Sequence, residues 1–112
     1  MSYTSNPSVL WKDILNTLET SPQDIQTVLQ DGSGGLWIHA KAENGIVEID
    51  RARDKIPSSR LSTPRYISEK EFVSLYPLYF QWRKGAISRE KAKGTSMKSS
   101  YIFALIHKFE DE

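Results

Sequence analysis

Glu48 and Asp50 are the acidic residues whose spacing comes nearest to that of a catalytic centre. They stand two positions apart in a run, 46–49 and beyond, that alternates like a β-strand, so both carboxylates project from one face. Together with Asp31 or Glu43 they would offer oxygen ligands to a divalent cation, as in a metal-dependent nuclease. The alternative is a solvated strand face. We favour that alternative because the run lacks a lysine beside its second acid.

The histidines and serines show no arrangement typical of a metal site or of a serine nucleophile. His39 and His107 have no second ligand at a metal-binding spacing. Ser58 and Ser59 stand near Lys55, but neither a glycine elbow nor a suitably placed histidine accompanies them. The chain has no cysteine, which excludes disulfides and thiolate chemistry. We therefore expect a protein without catalytic residues, metal or cofactor.

The charges are distributed unevenly, although the net charge of the chain is only +1. Residues 1–50 carry a net charge of −5, residues 51–98 a net charge of +8, and residues 99–112 a net charge of −2. A basic middle region of this kind favours an anionic partner such as nucleic acid.

Two stretches, 51–65 and 83–98, contain eleven of the twelve bases in that middle region. The first also contains several hydroxyl side chains, which would either bind phosphate oxygens or satisfy the backbone of their own loop. We predict a non-enzymatic module whose basic surface contacts nucleic-acid phosphates. The predicted binding residues are Arg51, Arg53, Arg60, Arg65, Arg83, Lys84, Arg89, Lys98, Ser99 and, as a stacking group, Trp82.

Aromatic side chains beside the bases leave a second interpretation open. Exposed tyrosine and tryptophan are also typical of protein interfaces. Tyr79, Trp82 and the face of the predicted hairpin would then serve a protein-interaction module, either homo-oligomeric or inhibitory toward an acidic partner.

The elements that must position these residues predict an α+β fold. Asn6 or Ser5, followed by Pro7, favours a helix that continues to about residue 19. The run 25–29 favours a strand, with a short helix as the alternative. Asn44-Gly45 between two alternating runs predicts a β-hairpin within a small antiparallel meander.

The C-terminal half is predicted to be helical. Ser68 and Glu71 form a capping-box pattern, and Pro77 predicts a kink or break near residue 76 before Gly85 ends the helix. Ser88 begins a short turn, 89–93, and Thr95 or Ser96 caps a final helix, 97–109, with Ile102, Leu105, Ile106 and Phe109 directed inward.

Length and hydropathy bound the organisation of the chain. One hundred and twelve residues predict a single compact domain, 1–112, in which both halves share one core. The longest apolar run is too short for a membrane span, and the N-terminus has no signal-peptide pattern. We therefore expect a cytoplasmic protein.

Residues 85–101 resemble the helix-turn-helix of recombinases and repressors. Gly85, Ile87, Ser88 and Ala92 match its opening, and Met97 to Tyr101 would begin the recognition helix. The resemblance implies that Lys93, Lys98, Ser99 and Ser100 face DNA. The apolar pair that ends the first helix of such motifs is absent here.

A broader set of residues resembles small uncharacterised proteins of mobile elements, including integron gene cassettes. The set comprises Pro57 to Ser59, Pro64-Arg65, Phe72, Leu75 to Pro77, Trp82, Gly85 and the run 100–106. The resemblance implies a stand-alone domain of accessory function.

Overall fold

The computed structural model describes residues 6–96 and 98–111, and it confirms the predicted α+β architecture. The elements follow in the order α1 (Pro7–Thr20), β1 (Gln23–Val28), β2 (Gly34–Glu43), β3 (Ile46–Arg51), β4 (Arg65–Ile67), α2 (Glu69–Arg83), α3 (Arg89–Thr95) and α4 (Ser99–Ile106), with a π-helical turn at His107–Asp111. Among the described helices, none is long and apolar enough to cross a membrane.

The four strands form an antiparallel meander in the order β1-β2-β3-β4. The predicted hairpin joins β2 to β3, with positive φ angles of 54° at Asn44 and 77° at Gly45. Asn tolerates this left-handed conformation and Gly adopts it freely, so the turn is encoded locally. Alternation then places one apolar face against the helices and leaves one polar face.

Strand β4 was not predicted, because residues up to Arg65 were expected to be irregular. It has only three residues and pairs with β3 through Val47 and Ile67. Three residues leave too little alternation to be recognised in a sequence, so the strand depends on its partner.

The helices form two layers above the apolar face of the sheet. α1 and α4 lie on the strands, and α2 packs on both of these helices. Trp11 of α1 meets Phe72 of α2 with 5.1 Å between ring centroids, and Trp82 of α2 stacks on Phe103 of α4 at 5.0 Å. Buried residues from both halves of the chain thereby form one cluster.

Helix α2 continues through Pro77, so the predicted break is wrong, whereas the alternative of a kink stays a prediction. Proline removes the amide that would bond to the carbonyl of Val73. Pro77 lies on the exposed side of the helix, while Tyr76 and Tyr79 remain buried on the inner side. Packing of the inner side holds the helix together across the missing bond.

The helix ends follow the predicted caps except before α4. Asn6 caps α1, the Ser68–Glu71 capping box begins α2, and Gly85 follows its last turn with a φ of 80°. Ser88 caps α3, which continues through Gly94. α4 begins at Ser99 with Lys98 at the N-cap position. Met97, predicted as the start of this helix, lies outside the described residues.

Replacing Pro77 by alanine should stabilise the protein. The variant restores the amide to an exposed helix position without disturbing the core, so we expect the free energy of unfolding to rise by about 1–3 kcal/mol. Urea denaturation measures the change. Gln81→Ala, at an exposed position of the same helix, should change it by only a few tenths. Destabilisation by Pro77→Ala would contradict this account of α2.

Candidate functional site

Residues 51–65, here called the basic loop, connect β3 to β4 and are held in place by one carboxylate. The backbone amides of Arg53, Asp54 and Lys55 all donate to Asp24 of β1, at 2.7–3.1 Å. His39 of β2 contacts the same carboxylate through Nδ1 at 2.9 Å. Only 6% of the Asp24 side chain remains exposed. Asp24 therefore fixes the first half of the basic loop to the sheet.

A second attachment fixes the middle of the loop to β2. The amide of Trp37 donates to the carbonyl of Pro57 at 2.9 Å, and the amide of Ser59 donates to the carbonyl of Trp37 at 2.8 Å. The Ser58 hydroxyl accepts from the amide of Ala52 and donates to the carbonyl of Ser59. The Ser58 hydroxyl therefore forms hydrogen bonds with the backbone of its own loop, as in the second of the two interpretations given for these hydroxyls above.

The environment of Asp24 keeps its carboxyl ionised. Burial by itself would raise the pKa, but the amides of Arg53, Asp54 and Lys55, together with His39, outweigh that effect and hold the pKa far below its ordinary value of 3.8. The charged form is the one that accepts all of these hydrogen bonds. Attachment of the loop and ionisation of Asp24 are thus coupled.

Three bases of the loop project into solvent from this fixed backbone. Arg53, Lys55 and Arg60 are exposed, and within residues 6–96 and 98–111 none of them forms an ion pair. Lys55 lies over the ring of Trp37, 5.6 Å from its centroid. Ile56 beside it is 84% exposed. The acids nearest in the chain are Asp54, which is itself exposed, and Asp50.

Arg51 and Arg65 are partly engaged within the loop. Arg51 is exposed but donates through Nε to the carbonyl of Leu61 at 2.6 Å. Arg65 donates through Nη1 to the Thr63 hydroxyl at 2.7 Å and to the Thr63 carbonyl at 3.0 Å. Each guanidinium keeps further N–H groups that these bonds do not use.

Arg83 and Lys84 lie at the end of α2, away from the basic loop. Arg83 donates to the carbonyl of Gln30 at 3.1 Å and to the hydroxyl of Tyr79 at 2.9 Å, beside His107. It therefore joins α2 to the turn after β1. Lys84 is exposed beside it at the C-cap.

Arg89 covers the aromatic centre of the core. Its guanidinium lies 5.0 Å from the ring centroid of Trp82 and 5.2 Å from that of Phe103, and it donates to the hydroxyl of Ser100. Burial lowers the pKa of Arg89 from its ordinary value, although arginine stays protonated in proteins. In the described part of the chain, no carboxylate pairs with this half-buried cation. Trp82 beneath it is 5% exposed, and Phe103 and Arg89 lie against its ring.

Lys98 and Ser99 lie at the start of α4, where Lys98 makes internal contacts and Ser99 is buried. The ammonium of Lys98 donates to the carbonyl of Tyr66 at 2.5 Å and pairs with Glu71 at 3.2 Å. Ser99 is 1% exposed. These contacts bring the end of the second basic stretch against β4, which directly follows the basic loop.

A cleft of about 350 Å³ lies between the start of α4, the basic loop and the β1–β2 hairpin. It is lined by Thr27, Leu29, Gly35, Leu36, Ile38, Ser59, Ser100 and Tyr101. Leu29 and Leu36 remain 53% and 46% exposed, which is unusual for leucines so close to the core. Arg60 follows the lining residue Ser59 in the chain, and Arg89 is hydrogen-bonded to the lining residue Ser100.

The predicted acidic pair lies on the polar face of the sheet. Glu48 pairs with Lys41 at 3.1 Å, and Asp50 accepts from the amide of Arg51 at 2.7 Å. Asp31 caps its own turn through Ser33, and Glu43 is exposed at the end of β2. Within residues 6–96 and 98–111, no three histidine or acidic side chains are grouped so that they could hold a metal ion.

Comparison with protein-family models, curated proteins and solved structures found no match for this chain. The two resemblances drawn from the sequence therefore stay predictions.

Asp24 and the lining of the cleft are the features that the sequence analysis did not identify. The amides that Asp24 binds lie 29 to 31 residues further along the chain, so no local pattern connects them. Nothing in the sequence around Leu29 and Leu36 distinguishes them from other apolar residues of the strand region.

Replacing Asp24 by alanine should loosen the basic loop and destabilise the protein. Three amides lose a charged acceptor, so we expect the free energy of unfolding to fall by about 1–3 kcal/mol, measured by urea denaturation. Asp13→Ala removes an exposed acid from α1 and serves as the control, with an expected change within about 0.5 kcal/mol. Equal effects of the two variants would refute the anchoring role.

The stabilising effect of Asp24 should disappear in acid. Because the folded-state pKa is lowered, the contribution is complete above the ordinary value of 3.8 and is lost as the pH falls below it. The difference in unfolding free energy between the wild type and Asp24→Ala should be constant from neutral pH down to about pH 5 and then shrink. A difference that grows on acidification would contradict this assignment.

Proposed function

We propose that the protein binds nucleic acid through phosphate contacts made by the basic loop. Arg53, Lys55 and Arg60 are the principal contacts, with Arg51 and Arg65 contributing the N–H groups that their internal bonds leave unused. The observation that carries the proposal is the contrast within this loop: its backbone is tied to Asp24 and Trp37, whereas these three cationic side chains point outward without an acidic partner in the described residues.

The fixed backbone supports phosphate binding for an entropic reason. A mobile loop loses conformational freedom when it binds a ligand, and that loss weakens binding. A loop already attached at two points loses less, so its side chains can contact phosphates at a smaller cost. Contacts from basic side chains held in fixed positions also fix the position of a protein along a nucleic-acid backbone.

The second basic stretch supports the proposal only in part. Lys98 reaches β4 next to the basic loop, and Arg89 adjoins the same cleft as Ser59. Arg83 and Lys84 lie at the other end of α2 and are not included in the proposed surface. The proposed interface is therefore smaller than the one predicted from the sequence.

A protein-interaction module, of the accessory type implied by the mobile-element resemblance, is the second candidate. The specific observation in its favour is the pair of half-exposed leucines, Leu29 and Leu36, at the cleft. A homo-oligomer formed through these residues would lose mass in light scattering when Leu36 is replaced by glutamate.

Salt dependence tests the proposed function. Each phosphate contact contributes about one unit to the slope of log K against log salt concentration, so Arg53→Gln, Lys55→Gln and Arg60→Gln should each reduce the slope by about one. Fluorescence anisotropy with labelled DNA, single-stranded and duplex, provides the affinities. Lys12→Gln neutralises an exposed base of α1 outside the surface and should leave the slope unchanged.

Two results would count against the proposal. Absence of binding to both forms of DNA at low salt would exclude nucleic-acid binding by this surface. Binding with a slope that none of the three loop variants reduces would place the contacts elsewhere on the protein.

A further inference from the structure

The cleft beside the basic loop combines an apolar interior with a neighbouring cation, Arg89. Leu29 and Leu36 form its exposed apolar surface next to the fully buried Ile38, and Tyr101 contributes an aromatic ring. The hydroxyls of Thr27, Ser59 and Ser100 lie around them. Its volume of about 350 Å³ is in the range of pockets that hold small organic groups.

Arg89 places a cation next to the cleft, because it is hydrogen-bonded to the lining residue Ser100. Its guanidinium is held against two aromatic rings and bonded to Ser100, so its position is set before any ligand arrives. A half-buried cation is stabilised when an anion approaches it, because burial has removed part of its hydration. Among the residues that the structure describes, no acidic residue lines the cleft, and Arg60 directly follows the lining residue Ser59 in the chain.

We infer that this cleft takes one unpaired base of a single-stranded nucleic acid, with the base against Tyr101 and Leu36 and the adjoining phosphate at Arg89 and Ser100. The inference rests on the proposed function and adds strandedness to it. A base in a duplex has both of its faces stacked and cannot enter such a cleft without leaving the helix. A flat apolar ring next to an anion matches both halves of the cleft, whereas an apolar peptide segment would leave Arg89 without a partner.

Comparison of matched single-stranded and duplex oligonucleotides tests the inference. With labelled oligonucleotides of about 12 nucleotides, we expect the single strand to bind at least about tenfold more tightly than the duplex of the same sequence. Tyr101→Leu should weaken single-strand binding by about tenfold while leaving the salt slope unchanged, because stacking is lost but no phosphate contact is.

Matched controls separate the cleft from the rest of the surface. Tyr66→Leu makes the same change at an exposed tyrosine on the polar face of the sheet and should not alter affinity. Arg89→Met should reduce the salt slope by about one, whereas Lys91→Met, at an exposed base of the same helix, should reduce it less. If Tyr101→Leu fails to fold by circular dichroism, Leu36→Glu tests the cleft at a half-exposed position and should weaken single-strand binding more than duplex binding.

The outcomes distinguish this inference from the proposed function. Equal binding of single strand and duplex, with no effect of the cleft variants, would overturn the cleft inference while the proposed function stands if the loop variants still reduce the slope. Loss of self-association in Leu36→Glu with unchanged nucleic-acid affinity would assign the cleft to a second copy of the chain and also overturn the inference. Failure of both oligonucleotides to bind would overturn both proposals.

Discussion

The ionised carboxylate of Asp24 is the contact on which the position of the basic loop depends. It accepts three consecutive backbone amides that belong to no helix or strand, and it does so from β1, a strand at the edge of the sheet. Amides in such a segment would otherwise need water or a rearranged loop as partners. With Asp24 as their acceptor, the segment turns its backbone toward the sheet and its side chains toward solvent. The orientation of the basic side chains therefore follows from the direction in which the three Asp24-bound amides point.

A second constraint acts between α2 and α4, where aromatic packing determines how far Trp82 and Arg89 are exposed. Trp82 and Phe103 join α2 to α4, and Arg89 covers their edge. This packing withdraws Trp82 from the surface and half-buries Arg89. Leu29 and Leu36 remain about half-exposed at the cleft, which the first turn of α4 lines through Ser100 and Tyr101.

Features that depend on neighbouring residues could be predicted from the sequence, and features that depend on distant partners could not. Asn44-Gly45 and the Ser68–Glu71 capping box are local, since their conformations and hydrogen bonds lie within a few residues. The predicted break at Pro77 was wrong because the effect of a proline depends on which side of α2 faces water. The charge pattern identifies residues 51–65 as a basic stretch, but the fixation of this stretch by Asp24 involves residues about thirty positions apart. Which basic side chains are buried and which are exposed depends on the packing of α4, so the sequence alone did not distinguish them.

The two attachments of the basic loop come from different strands, Asp24 from β1 and Trp37 from β2. These strands pair with each other directly, and Gln26 faces Trp37 in that register. If β1 separates from β2, the loop loses its first attachment, and if β2 separates from β3, the second attachment no longer has a fixed neighbour. The position of the basic loop therefore depends on the pairing of β1 with β2 and of β2 with β3. A chain that is newly synthesised or partly unfolded carries the same basic side chains, but they have no fixed arrangement. The basic surface therefore forms only when the sheet forms cooperatively.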